Sequence, residues 1–365
     1  MTAQRPGPGP TNSLLDVAGL RLGQATRADP PHLSGVSVVL AGEQGVVAGV
    51  DVRGGGPGTR ETDLLDPRNV VERVHAIALC GGSAFGLAAA DGVMQGLYTD
   101  GIGLPMGGPG EVVPLVPAAV IFDLGRGGDF AARPDAATGA QAYAAAKAGG
   151  PVEQGCVGAG TGAKAGGLKG GVGTASVVLP GGAAIGALIV CNSLGEVITP
   201  QGTFHAQRYL LPADAPALRA PDEQDLAQAA AAARTAAPMP VGRPGLATTI
   251  GVVATDLSLT KAQCAKLAGV GHDGIARAVD PAHTMLDGDT LFGLATGQGE
   301  VPDLALFHEV LTHAPRVVSR AIVRAVLAAT STTTSAGTWR SYREAFPSAF
   351  AEPSGDASPD RGPHE

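Results

Sequence analysis

The residue with the clearest chemical use in this sequence is a threonine at the start of an apolar run. Thr248 precedes Ile250-Gly251-Val252-Val253-Ala254, a run that predicts a buried strand, and a proline-broken loop, 238–244, comes before it. If the chain is cut before Thr248, that residue gains a free α-amine beside its own hydroxyl, and the pair can act as base and nucleophile. On this stretch alone an ordinary strand threonine is the simpler interpretation, because threonine is common in strands.

Three further features carry side chains that suit such a reaction. Asn192 ends an apolar run, so its amide either donates to an oxyanion or simply begins a turn. Asp287 and Asp289 flank Gly288, and this acidic pair either holds an ammonium group or belongs to a plain Asp-Gly turn. Lys169 is a lone cation in a glycine-rich bend, where it either lies against the nucleophile or is solvated.

Other catalytic and binding motifs fail on their spacing. Ser83 resembles a nucleophile elbow, but that pattern requires glycine where Phe85 stands, so a helix cap is the better interpretation. The glycines of 158–163 lack both the acidic residue and the βαβ unit of a dinucleotide site. The histidines lack metal-ligand spacing. We therefore expect neither a metal nor a cofactor.

Composition narrows the class of protein further. The net charge of -8 argues against a nucleic-acid surface, and 16% charged residues against 44% hydrophobic ones indicate a large core. The four cysteines are far apart and form no CxxC pair, which favours free thiols in a reducing compartment. Every apolar run is interrupted before it reaches the length of a membrane span. We expect a soluble, cytoplasmic protein.

The pattern of apolar runs predicts a layered α+β domain. Paired runs at 36–40 with 46–52, and at 172–179 with 183–191, each predict a hairpin. After Thr248 the pattern predicts a strand, a helix, a strand and a long helix, at 250–255, 258–278, 290–296 and 302–329. The polar, Pro/Gly-rich ends, 1–12 and 352–365, predict disordered tails.

Taken together these stretches resemble the DmpA-type aminopeptidases, a family that includes the β-peptidyl aminopeptidases and the nylon-oligomer hydrolases. The matching pieces occur in family order over residues 14–330. They are Asp51-Val52-Arg53-Gly54-Gly55, Leu79 to Leu87, Gly158-Ala159-Gly160-Thr161-Gly162 with Leu168-Lys169-Gly170-Gly171, Asn192, the Thr248–Asp256 strand and His283 to Phe292.

The resemblance implies an αββα sandwich like that of N-terminal-nucleophile hydrolases, made as a precursor that cleaves itself. The cut between Ala247 and Thr248 would give an α chain, 13–247, and a β chain, 248–351, of one catalytic domain. By position, Thr248 is then the nucleophile and Asn192 the oxyanion-hole amide. The acidic pair 287 and 289 would orient the nucleophile, with Lys169 or Lys164 as the nearby lysine. The family's tetramers of αβ units imply a homo-oligomer.

Two departures from the family concern the substrate. Val120 and Phe122 stand where the aminopeptidase branch carries a glutamate that binds the substrate amine and a catalytic tyrosine. We expect these two residues to give an apolar substrate pocket without a strict need for a free amine. The predicted activity is hydrolysis of short peptides, amino-acid amides or linear amide oligomers. An acyltransferase of the ornithine acetyltransferase type, sharing the acyl-Thr248 intermediate, and a non-catalytic scaffold remain as alternatives.

Overall fold

The centre of the molecule is a pair of β-sheets, each covered on its outer face by helices. The computed structural model describes residues 5–235 and 246–350, with side chains omitted for 233–235. The predicted loop 238–244 and the predicted tail 352–365 lie outside the described residues.

Seventeen strands lie in the described ranges. In chain order they are β1 (Arg21–Arg27), β2 (Ser34–Leu40), β3 (Val46–Val52), β4 (Thr59–Arg60), β5 (Arg73–Val74), β6 (Ala76–Cys80), β7 (Leu104–Pro105), β8 (Val112–Val113), β9 (Ala118–Val120), β10 (Lys164–Ala165), β11 (Leu168–Lys169), β12 (Gly171–Val178), β13 (Ala184–Cys191), β14 (Ile250–Thr255), β15 (Thr290–Ala295), β16 (Thr332–Thr334) and β17 (Gly337–Trp339).

Seven α-helices accompany them in the same ranges. They are α1 (Ser83–Gly86), α2 (Ala89–Thr99), α3 (Ala136–Ala148), α4 (Glu223–Thr235), α5 (Lys261–Ala278), α6 (Leu304–Ala328) and α7 (Tyr342–Ala345). The predicted strand–helix–strand–helix order after Thr248 is confirmed as β14, α5, β15 and α6. None of the helices in the described ranges is long and apolar enough to cross a membrane.

The layers follow from which face of each sheet is apolar. One sheet has the strand order β1-β2-β6-β9-β4 and the other β12-β13-β14-β15-β3-β5. Apolar side chains such as Ile77, Leu79, Val190, Val252 and Phe292 form a shared core between the two sheets. Helices α2 and α3 pack on the first sheet, while α5 and α6 pack on the second. The predicted αββα sandwich is therefore confirmed.

One of the two predicted hairpins is wrong. Strands β12 and β13 pair antiparallel, as expected. Strands β2 and β3 do not pair, because β2 bonds to β6 in the first sheet and β3 bonds to β15 in the second. The loop after Leu40 thus crosses from one sheet to the other, and partners that are distant in sequence decide the pairing.

The predicted N-terminal tail also needs correction within residues 5–12. Gly7 forms a bridge to Val178, and its N–H bonds the Val178 carbonyl at 3.2 Å. Asn12 is buried, and its Oδ1 accepts from the Ser176 N–H at 3.1 Å and from Arg320 at 2.7 Å. These contacts give the polar segment partners on the second sheet and on α6.

Candidate active site

Strand register brings the predicted nucleophile between two neighbours. Ile250, the first residue of β14, lies opposite Val190 of antiparallel β13 and opposite Thr290 of parallel β15. Two residues before β14 begins, the same registers place Thr248 beside Asn192 on one side and Gly288 on the other. The ends of three core strands therefore assemble the candidate site.

Thr248 is held with its hydroxyl against the preceding peptide. Its side chain is buried, and Oγ1 donates to the Ala247 carbonyl oxygen at 2.5 Å. Its backbone N–H donates to the Asn192 carbonyl oxygen at 2.6 Å. The hydroxyl that would attack thus lies next to the carbonyl that it would attack.

Gly288 supplies a second donor to the same carbonyl. Its N–H donates to the Ala247 oxygen at 3.0 Å, within a short parallel bridge between Ala247 and Asp287. A Cβ on Gly288 would lie 2.7 Å from the Gly56 carbonyl oxygen and 2.9 Å from the Thr248 Oγ1. Only glycine fits this position without displacing its neighbours.

The aspartates on either side of Gly288 are buried, and their hydrogen bonds go to their own loop and to Thr249. Asp287 Oδ2 accepts from the Thr284 N–H at 2.8 Å and from its hydroxyl at 2.7 Å. Asp289 Oδ1 accepts from the Thr249 N–H at 2.7 Å, and Oδ2 lies 2.7 Å from His283 Nδ1. In the uncut chain these contacts fix the loop that presents Gly288.

The partner of Asp289 is a histidine that sequence analysis did not single out. Burial disfavours the charged imidazolium of His283, but the hydrogen bond and charge of Asp289 outweigh it and raise its pKa. His283 also has a left-handed backbone, with φ at +58°. The sequence signal that could have identified His283 is its place in the stretch 283–292, which resembles the family and contains the acidic pair.

The glycine-rich loop after β3 contacts the loop that carries Asp287 and Asp289. The N–H groups of Arg53 and Gly54 donate to the Asp289 carbonyl oxygen at 2.9 and 3.3 Å, and the Gly56 N–H donates to the Asp287 carbonyl at 2.8 Å. A Cβ on Gly54 would lie 2.3 Å from the Asp287 oxygen. Its glycines therefore serve a close approach between two loops.

On the other side of Thr248, the Asn192 amide is held differently from what we expected. Its Oδ1 accepts from Arg126 Nη1 at 2.6 Å and from the Lys164 N–H at 3.1 Å. Its Nδ2 donates to the Phe122 carbonyl at 3.3 Å. The donor that contacts the Ala247 carbonyl is the Gly288 N–H, so the amide of Asn192 has no described contact with that oxygen.

The two candidate lysines occupy distinct places. Lys169 is buried, and its ammonium donates to the carbonyls of Ala163, Gly170 and Gly160 at 2.8, 3.0 and 3.3 Å. Burial lowers its pKa to about 8, although the neighbouring Cys156 opposes the change. Lys164 is half-buried and reaches Asn192 through its backbone. Neither ammonium has a described contact with Thr248.

The predicted pocket residues diverge along one strand. Val120 is buried in the apolar layer between the first sheet and helices α2 and α3, so its expected place on an open pocket wall is corrected. Alternation along β9 sends its side chain to the face opposite Ile121, which packs between the sheets. Phe122 is half-buried at the strand end, beside Asn192.

Comparison with known proteins decides the family. The profile of peptidase family S58 matches residues 12–340. The chain belongs to peptidase family S58. It is therefore a hydrolase of the peptidase class.

Relatives and solved structures agree with this assignment. An uncharacterized aminopeptidase of Mycobacterium leprae is 46% identical over 336 residues, covering 86% of this chain and 89% of that protein. A 6-aminohexanoate-oligomer endohydrolase of Agromyces is 30% identical over 301 residues, covering 79% and 76%.

Solved structures show the same fold. A β-aminopeptidase of Burkholderia superposes with a TM-score of 0.69 at 21% identity, covering 97% and 98% of the two chains. An L-aminopeptidase D-Ala-esterase/amidase of Ochrobactrum anthropi, described as a variant of the Ntn-hydrolase fold, gives 0.67 at 22% identity, with 92% of each covered.

A cavity of about 670 Å³ adjoins the basic side of this S58 peptidase's candidate site, the side with Arg126, Lys164 and Lys169. Gly167 and Leu168, in the hairpin formed by β10 and β11, lie in its wall, whereas Thr248 does not. Glu196 and Asp280 stand side by side at its rim, paired through two backbone hydrogen bonds of 2.9 and 3.0 Å. Apolar walls with a pair of carboxylates suit an aliphatic chain that carries an amine.

No cluster of histidine, cysteine, aspartate or glutamate suited to a metal ion occurs within 5–235 and 246–350. Sequence analysis missed Arg126 and the N–H of Gly288. The first lies in the unremarkable loop Gly125-Arg126-Gly127-Gly128, and the second is a backbone group with no sequence signature beyond the glycine itself.

Proposed function

We propose that this S58 peptidase cleaves its own chain between Ala247 and Thr248 and then hydrolyses amides with Thr248 as N-terminal nucleophile. The observation that carries the proposal is the Thr248 hydroxyl, 2.5 Å from the Ala247 carbonyl oxygen, which also accepts from Gly288 at 3.0 Å. A nucleophile beside a polarised carbonyl is the geometry that acyl transfer needs.

Self-cleavage proceeds by an acyl shift from nitrogen to oxygen. Oγ1 of Thr248 attacks the Ala247 carbonyl carbon, and the negative charge that develops on the carbonyl oxygen is stabilised by the Gly288 N–H. The C–N bond breaks, and the hydroxyl proton passes to the nitrogen of Thr248. Water then hydrolyses the ester, which releases the Ala247 carboxylate and regenerates the Thr248 hydroxyl beside a free amine.

The amine that self-cleavage releases on Thr248 is already oriented when it forms. In the uncut chain the nitrogen of Thr248 donates to the Asn192 carbonyl at 2.6 Å, and an amine at the same place keeps that bond. A neutral amine can take the proton from the hydroxyl when Thr248 attacks a substrate.

For the substrate we propose short peptides, amino-acid amides or linear amide oligomers. Its relatives include proteins named for aminopeptidase and 6-aminohexanoate-oligomer hydrolase activities. Val120, at the position of the amine-binding glutamate, offers no carboxylate, and both oxygens of nearby Asp123 are bonded, to Ser34 and Gly82. Turnover that survives acetylation of the substrate amine supports the oligomer-hydrolase type, whereas loss of turnover directs attention to Glu196 and Asp280.

Intact mass and activity of matched variants test the nucleophile. We expect the wild type to yield chains 1–247 and 248–365, and Thr248→Val to stay full length and inactive. Thr249→Val is the matched control, because that buried hydroxyl has no hydrogen-bond partner among the described residues. An active wild type that remains a single chain of 36.1 kDa would refute the proposal.

Oligomerisation also remains a proposal. Low surface charge and Ala/Gly-rich helices favour association of αβ units into a homo-oligomer, of which a tetramer is the expected form. Sedimentation equilibrium at working concentration measures the state directly, and a monomer would contradict it.

A further inference from the structure

The Asn192 amide has two possible orientations, and the surrounding groups accept only one. Two donors, Arg126 Nη1 at 2.6 Å and the Lys164 N–H at 3.1 Å, face one atom of the amide. An acceptor, the Phe122 carbonyl, faces the other atom at 3.3 Å. A flipped amide would set its NH₂ against a guanidinium and an N–H, leaving three donors without an acceptor.

Arg126 is the stronger of the two restraints. Its charge shortens and strengthens a hydrogen bond relative to a neutral donor. The same Nη1 also donates to the Gly162 carbonyl at 2.6 Å, and the Arg126 carbonyl accepts from the Thr334 hydroxyl at 2.6 Å. The residue is thus bonded to two separate segments of the chain, through its side chain and through its backbone, in addition to Asn192.

We propose that Arg126 is a positioning residue for catalysis: it locks the Asn192 amide so that its NH₂ faces the end of β14 where the substrate carbonyl reacts. This inference rests on the proposed function and adds to it that this NH₂ stabilises the substrate oxyanion, the role that the family resemblance implies for Asn192. The NH₂ has two hydrogens, and its one described bond, at 3.3 Å, is long. The second hydrogen is the one offered to the substrate.

The surroundings of Arg126 support a role beyond filling space. Burial lowers the pKa of Arg126 to about 10, while the charge of Asp123 opposes this change. Burial raises the pKa of Asp123 itself, although bonds from Ser34 and Gly82 oppose it. A desolvated guanidinium that donates to neutral oxygens is costly to keep, and its retention is explained if it orients a reacting group.

A double-mutant cycle separates positioning from structure. Loss of a charged donor should lower kcat of Arg126→Met roughly 10- to 100-fold, with little change in KM. In an Asn192→Ala background the same change should alter kcat by less than about 2-fold, because the group that it positions is absent. Arg126→Lys, which retains a cationic hydrogen-bond donor, should recover part of the loss and provides the second variant if Arg126→Met does not fold.

Arg324→Met is the matched control for removing a half-buried arginine. Its guanidinium bonds the Asn12 carbonyl, far from Thr248, so we expect a lower melting temperature with unchanged kcat. Independent, multiplicative losses for Arg126 and Asn192 would overturn the inference, as would a kcat of Arg126→Met that matches the wild type. Activity that survives Thr248→Val would instead refute the proposed function itself, so the two failures are distinguishable.

Discussion

The two sides of Thr248 are built in opposite ways. On the acidic side, Asp287 is bonded inside its own loop and Asp289 to the backbone of Thr249, and the contact with the Ala247 carbonyl is a backbone N–H. On the basic side, side chains dominate, because Arg126 bonds the amide of Asn192 directly. Strand register places both sides beside Thr248, and on the basic side a contact with the distant segment that carries Arg126 also orients the Asn192 amide.

This difference predicts a division of labour. The acidic side holds the Ala247–Thr248 peptide that the proposed function has the protein cut in itself, and so its alteration should impair processing. The basic side offers an amide to a carbonyl that comes from elsewhere, and so its alteration should impair turnover of substrates. Substitutions on the two sides should separate the rate of self-cleavage from kcat.

The largest effect should follow from adding one methyl group on the acidic side. Gly288→Ala would place a Cβ 2.7 Å from the Gly56 oxygen and 2.9 Å from the Thr248 Oγ1, so the loop must move. A displacement of about 1 Å at a reacting group costs on the order of 100-fold in rate. We expect at least that slowing of self-cleavage, measured as the conversion of full-length chain on denaturing gels over time.

Gly181→Ala is the matched control for this glycine. It lies in the turn between β12 and β13, where an added Cβ meets nothing within 4 Å. It should process at the wild-type rate. Wild-type processing by Gly288→Ala as well would show that the close approach at this site is irrelevant to the reaction.

How much of this site could be predicted depended on whether a local pattern encodes it. Thr248 and the acidic pair were expected to be neighbours from the family resemblance, and the two apolar runs that follow them are the parallel strands β14 and β15. The pairing of β2 with β6 and of β3 with β15 could not be predicted, since nothing in either run records which sheet it joins. Arg126 was missed for the same reason, because its partner Asn192 is 66 residues away.

Side-chain orientation was harder to predict than position. Val120 and Phe122 were both expected to face the pocket, yet alternation in β9 buries the first against the helices. The side-chain amide of Asn192 was expected to donate to the reacting carbonyl oxygen. Its described contact with Thr248 is instead through its backbone oxygen. The family resemblance predicted which positions form the site, but only the folded structure shows where their side chains point.

The second effect in size should come from the basic side. Asn192→Ala keeps the backbone carbonyl that binds Thr248 but removes the amide, so kcat should fall by ~10²–10³ while self-cleavage changes far less. Asn192→Asp is the paired variant, since it keeps an acceptor for Arg126 and lacks the NH₂ donor. Equal losses of processing and kcat would contradict the proposed division between the two sides.

The smallest effect concerns pH and the histidine behind the acidic pair. Four charged or titratable groups surround His283. Asp289 lies 2.7 Å away, the His272 ring centroid lies 4.8 Å away, and Asp51 and Arg53 are bonded to each other beside His272. Burial lowers the pKa of His272 to about 4, so it stays neutral near pH 7 and leaves Asp289 as the main partner.

Because Asp289 raises the pKa of His283 in the folded protein, charged His283 stabilises the fold. That stabilisation is fully present below the ordinary histidine pKa of 6.5, and it is lost as pH rises through the raised value. His283→Gln removes the charge, so its melting temperature should fall by roughly 3–5 °C at pH 6 and converge with the wild type above the raised pKa. Exposed His308→Gln, on α6, should follow the wild-type curve at every pH. The melting temperatures of His283→Gln and the wild type could instead differ by the same amount from pH 6 to pH 9. That result would mean that the charge of His283 does not stabilise the acidic side, whereas a cation, Arg126, contacts the basic side.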